Sequence, residues 1–134
     1  PFFVDNLKGT TMRTAATFFF FSFLAITPAI AADGHKPNYG GVVMEIGHIQ
    51  YELVAQADSI SIYVEDHGKK IDTKGATAKV TLLTGKEKSE ATLAPAGGNK
   101  LLSSGTFNVK PGTKAVAVVT LAGKAPATAR FVIP

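Results

Sequence analysis

The stretch that decides the fold is Ile49-Gln50-Tyr51-Glu52-Leu53-Val54-Ala55. Ile49, Tyr51, Leu53 and Ala55 fall on one side, and Gln50, Glu52 and Val54, with His48 before them, fall on the other. A period of two is the signature of a half-buried strand. The same alternation returns in Ser59 to Val64, where Ile60, Ile62 and Val64 oppose Ser59, Ser61 and Tyr63. It returns again in Ala76 to Thr84, with Ala78, Val80 and Leu82 opposite Thr77, Lys79, Thr81 and Leu83. Shorter runs follow at Ser89–Leu93, Leu101–Val109 (interrupted near Gly105), Lys114–Leu121 and Ala127–Ile133, and Val42–Ile46 precedes. Gly47 permits a bend or bulge. Asp66-His67-Gly68-Lys69, Thr84-Gly85-Lys86, Pro95-Ala96-Gly97-Gly98-Asn99 and Pro111-Gly112 are turn signals, because glycine supplies positive φ and proline fixes it. No segment keeps a helical period. Seven or eight short strands at this spacing predict an all-β fold, an antiparallel β-sandwich of immunoglobulin-like type, with a small barrel as the alternative.

Upstream of this domain the chain changes character. Met12-Arg13-Thr14 gives a short positive start. The run Ala15 to Thr27 carries five phenylalanines, Phe18 to Phe21 and Phe23, and Pro28 and the small residues Ala29-Ile30-Ala31-Ala32 follow. A positive start, an apolar stretch and an Ala-x-Ala site read as a cleavable signal-peptide helix. The stretch is shorter than the roughly 20 apolar residues of a spanning helix, which sets aside an uncleaved anchor. The expected organisation is therefore an upstream extension over 1–11, a signal peptide over 12–32 and one domain over 33–134, exported to the periplasm with no membrane anchor after cleavage.

Composition narrows the function. The 134 residues carry a net charge of +4 and contain no cysteine. Disulfides, thiolate metal sites and a lipid-modified cysteine are thereby excluded. The lysines are dispersed, with a single arginine after the signal, whereas a nucleic-acid surface clusters its cations among aromatics. These are solvated lysines on strand faces and turns, where they also discourage edge-to-edge pairing. No serine sits in a nucleophile elbow, and no glycine-rich loop opens a helix. The sequence points to no catalytic constellation, and the chain reads as a non-enzyme.

Metal binding is the sharper possibility, since imidazole, carboxylate, thioether and amine ligands are all present. Cleavage after Ala32 would leave Asp33-Gly34-His35 at the amino terminus. There the amine, two backbone amides and the His35 imidazole could place four nitrogens in a plane, as Cu(II) and Ni(II) prefer. Cleavage after Ala31 fits the small-residue rule better and moves His35 to fourth place, which loses the tight chelate. Within the domain, His48, Gln50 and Glu52 share a strand face at a spacing of about 7 Å. Glu45 and Met44 lie close in sequence, Met44 being a soft ligand suited to Cu(I). His67 belongs to the Asp66-His67 turn. The candidate ligands are Asp33, His35, Met44, Glu45, His48 and His67, for copper or another divalent transition metal. Against this stand plain structural roles: core filling for Met44, a solvated face for His48 and Glu52, and turn formation for His67.

The stretches His35-Lys-Pro-Asn-Tyr-Gly-Gly-Val-Val, Gln50-Tyr-Glu-Leu-Val, Ile62-Tyr-Val-Glu-Asp-His-Gly-Lys and Leu93-Ala-Pro through Phe107 to Lys114-Ala-Val-Ala-Val-Val resemble small periplasmic proteins of proteobacteria. They are also similar to the N-terminal β-domain of periplasmic adaptor subunits from heavy-metal efflux pumps of the RND type. The resemblance implies a stand-alone accessory of metal handling, acting as buffer or carrier, with an RND-type efflux assembly as a partner. The chain departs from that pattern at Tyr39, where the residue before the Gly-Gly pair is often histidine, and it lacks the coiled hairpin and lipoyl-like parts of an adaptor. A protein-interaction module that uses its edge strands and end loops, with no metal, is the competing expectation.

Overall fold

The computed structural model describes residues 36–134, and the expected signal segment, Asp33 and His35 lie outside them. Among the described residues nine strands form: β1 Val42–Ile46, β2 Ile49–Ala55, β3 Ser59–Asp66, β4 Lys69–Lys70, β5 Thr77–Thr84, β6 Glu87–Pro95, β7 Lys100–Ser104, β8 Lys114–Thr120 and β9 Ala127–Val132. Every pairing is antiparallel. The order is β1-β2-β3-β7-β6-β5-β8-β9, with β4 added beside β3. The expected all-β antiparallel architecture is thus what the chain adopts, as a sandwich whose sheet is nearly closed. Among the described residues there is no helix, hence none long and apolar enough to cross a membrane.

One strand joins the two layers. β6 pairs with β5 from Glu87 to Leu93, then Ala94 and Pro95 pair with Leu102 and Leu101 of β7. Strands that switch sheets make the corners of such sandwiches. Between the layers lies a core built from the inward half of each alternation. Leu53, Ile60, Ile62, Val64, Val80, Leu82, Leu93, Leu101 and Val119 are all nearly inaccessible. Burying each such side chain contributes about 1.5–3 kcal/mol. β8 and β9 bring Ala115, Ala117 and Ala129 to the same core.

The chain departs from the sequence reading at two places, and the second positions the site. The stretch after Gly105 leaves the sheet instead of continuing as a strand, and it is tied down by Gly105 N donating to Asp58 O and Phe107 N to Ala57 O. Gly47, read as a bend or bulge, opens a two-residue hairpin instead. Ile46 pairs with Ile49, leaving Gly47 and His48 as the loop. Gly47 has a φ of 65°, at the first central position where II′ hairpins place glycine. His48 is therefore a turn residue, not the first residue of a strand face.

Candidate metal groove

The second hairpin explains why His48 matters. Asp66 pairs with Lys69, so His67 and Gly68 form another two-residue loop. Both have positive φ, 49° and 79°, as an I′ turn requires. Ile49 of β2 lies opposite Asp66 of β3. His48 immediately precedes the first of these partners and His67 immediately follows the second. Cross-strand register therefore delivers two histidines, 19 positions apart in the numbering, to one end of the sheet.

There the two rings stack, with centroids 5.4 Å apart and planes inclined by 17°. Asp66 sits against both. Its Oδ1 lies 2.6 Å from His67 Nδ1 and its Oδ2 lies 3.6 Å from His48 Nε2. A carboxylate can only accept, so His67 Nδ1 is the donor, and in the neutral ring the lone pair is on Nε2. The imidazoles are open to solvent, at 60% and 76% exposure, while Asp66 behind them is at 34%. A carboxylate that fixes the tautomer of an imidazole is the usual partner behind a metal-binding histidine.

The two rings open onto a shallow groove of about 560 Å³, lined by Lys36, Asn38, Glu45, His48, Gln50, Glu65, His67 and Gly68. In a chain of net charge +4, this groove carries two carboxylates against one ammonium, with Asp66 close behind. Such a balance favours a cation.

Glu52 has a different fate from the solvated strand face expected of it. It is buried, at 5% exposure, because the lead segment 36–41 lies across the outer surface of β2 and β3. Its carboxylate accepts three backbone N–H bonds: Asn38 to Oε1 at 2.6 Å, and Tyr39 and Gly41 to Oε2 at 2.7 and 3.0 Å. Glu65, also buried, accepts from Asn38 Nδ2 at 3.1 and 3.3 Å. A buried carboxylate is tolerable only when bonded in this way. Tyr39 stacks on Tyr63 at 3.7 Å between centroids, with Lys100 Nζ 5.7 Å from the Tyr63 ring, and Asn99 donates to the Tyr39 hydroxyl. The glycine pair makes the approach possible. A Cβ on Gly41 would come within 2.2 Å of Leu53 O, and Gly40 has a φ of 77°. Tyr39 is thus a ring in a stack.

Of the expected ligands, the structure brings Glu45, His48 and His67 to one groove. Met44 alternates to the other face of β1 and packs, half-buried, against the core. Asp33 and His35 lie outside the described residues. Among the described residues, no three histidines or carboxylates form a ready-made set of ligands. Asp66 and Glu65 were absent from the sequence candidates. The cross-strand register that gathers them has no local signature. Beneath the groove, on the core face of β2, burial pushes the Tyr51 phenol above its ordinary value. Comparison with protein-family models, with curated proteins and with solved structures found no match to the chain.

Proposed function

We propose that the protein is a small exported carrier or buffer for a divalent transition metal, Cu(II) foremost, which it takes at the His48–His67 end of the sheet. The observation that carries this reading is the pair of exposed imidazoles, held by two separate turns and backed by one carboxylate. A metal–nitrogen bond is about 2.0 Å, which puts a ring centroid about 3 Å from the ion. Two imidazoles on one ion thus have centroids about 4–6 Å apart, and the observed 5.4 Å lies within that span. To share one ion the stacked, near-parallel rings must turn so that a nitrogen lone pair of each points at it. Imidazole and carboxylate suit Cu(II), whereas the Met44 thioether, turned to the core, does not offer a Cu(I) ligand. Two imidazoles on an open surface make an exchangeable site, as a carrier needs. The amino-terminal chelate at Asp33 and His35 adds a second site if cleavage follows Ala32. The resemblance to efflux adaptors supports a partner in heavy-metal export.

Native mass spectrometry and calorimetric titration with Cu(II) test this. In a chain carrying His35→Ala, which removes the amino-terminal chelate, one ion should bind. His48→Ala or His67→Asn should each weaken it by at least about tenfold, the low end of what even a supporting group costs. Asparagine tolerates the left-handed backbone at position 67, so that variant tests the ring and not the turn. Retention of full affinity in both variants would sink the site.

One observation favours the alternative, a protein-interaction module without metal. The exposed large aliphatics Leu83, Val118 and Val132 all lie on the outer face of β5, β8 and β9. Loss of a partner on replacing Val118 and Val132 by threonine, with Cu(II) making no difference, would support that reading instead.

A further inference from the structure

We infer that the lead segment is an autoinhibitory strap: docked, it holds the metal groove in a weak-binding state, and Glu52 is its latch. This rests on the metal reading above and adds its regulation.

The argument begins with Glu65. Its carboxylate lines the same groove as His48 and His67 and would complete a set of two imidazoles and a carboxylate. In the docked state it is taken: both its oxygens lie within 3.3 Å of Asn38 Nδ2, and the residue is buried. The lead also brings the cationic residue Lys36 to the lining of the groove. Like charges repel, and more strongly near a low-dielectric protein surface than in bulk water. The docked lead therefore withholds one anionic ligand and supplies one competing cation. Both effects act in the same direction, against an incoming metal ion.

The latch lies outside the groove's ligand set. Asn38 bridges the two buried carboxylates: its backbone N–H is on Glu52 and its side chain on Glu65. Tyr39 and Gly41 add their N–H groups to Glu52. Removing one acceptor oxygen there loosens the segment that carries Asn38 and Lys36, without altering either imidazole. Glu52 is a positioning residue, acting on the metal only through the lead.

This makes the expected effect a gain, which general destabilisation would not produce. All chains carry His35→Ala, so that an amino-terminal chelate contributes nothing, and the probe is Cu(II) alone. Glu52→Gln should speed amide hydrogen exchange at residues 38–41 and tighten Cu(II) binding by about tenfold, the scale of one supporting group. Adding Glu65→Gln to that chain should abolish the gain. Tyr39→Ala removes the ring stack and leaves both carboxylates intact, so it should tighten binding too, and it serves if Glu52→Gln folds poorly. Faster exchange in the lead with unchanged or weaker Cu(II) binding overturns the strap and leaves the metal site standing. Unchanged exchange in both variants overturns the latch. Absence of Cu(II) binding in every chain removes the metal reading and the strap together.

Discussion

The two outer faces of the sandwich began from the same alternation and ended differently. Over β2 and β3 the outward side chains are covered: Glu52 and Glu65 are buried beneath residues 36–41, and Tyr63 lies under Tyr39. Over β5, β8 and β9 the outward side chains face solvent. Register there lines up Leu83, Lys114 and Val132 in one row and Lys79, Val118 and Thr128 in another. Lys79 and Lys88 meet Glu90 at 3.4 and 3.8 Å in exposed ion pairs, which contribute little in water. The difference is one short, glycine-containing segment. Polar outward residues are a solvated surface on one sheet and a buried network on the other, according to whether a lead lies on them.

The sharpest way to break this contrast is Gly41→Ala. The added methyl meets Leu53 O at 2.2 Å, so the lead must lift off β2 or the strand must shift. Overpacking of this kind costs about 1–3 kcal/mol, and the upper end is expected here because the obstacle is backbone. Urea denaturation measures it, and an unchanged midpoint would mean that the lead does not rest on β2 as described. Alkali should act next, from beneath the covered face. The Tyr51 phenol is raised by burial, so the folded state holds that proton more tightly than the unfolded chain does. Its contribution is fully present below the ordinary value of about 10, and it is lost as pH climbs through the higher folded value. Tyr51→Phe should flatten the decline in thermal stability above that pH, and an equally steep decline in the variant would assign it to other groups. The smallest effect belongs to the open face. Val118→Thr, at 38% exposure, should change stability by no more than about 0.5 kcal/mol. A larger loss in the same urea experiment would mean that this face, too, is covered in solution.

Much of this architecture was legible beforehand. Period-two runs such as Ile49–Ala55 and Thr77–Thr84 placed strands and named their buried sides, because alternation is a local property. Glu52 shows where that reasoning stops. Alternation says that a side chain leaves the core, but it cannot say that Asn38, 14 residues earlier, returns to cover it. The clue was in the Gly40-Gly41 pair ahead of β1, whose physical role is close approach to the β2 backbone. The meeting of His48 and His67 depended on register. The turn at Asp66–Lys69 was legible, and assigning Gly47-His48 as a second two-residue loop would have revealed the meeting, since each then flanks the Ile49–Asp66 pair. For Met44, core filling, the plain role weighed against the ligand reading, is the one it takes.

His67 has a consequence for how this sequence can drift. It holds a left-handed backbone, φ 49°, which for a residue with a Cβ costs about 1 kcal/mol and for glycine costs almost nothing. A lineage selected for thermal endurance alone would sooner or later replace this histidine with glycine or asparagine. A lineage that keeps it is forgoing stability for an imidazole. Substitution tolerance at this single turn, scored once for heat resistance and once for growth on copper, would separate a histidine kept by chance from one kept by selection.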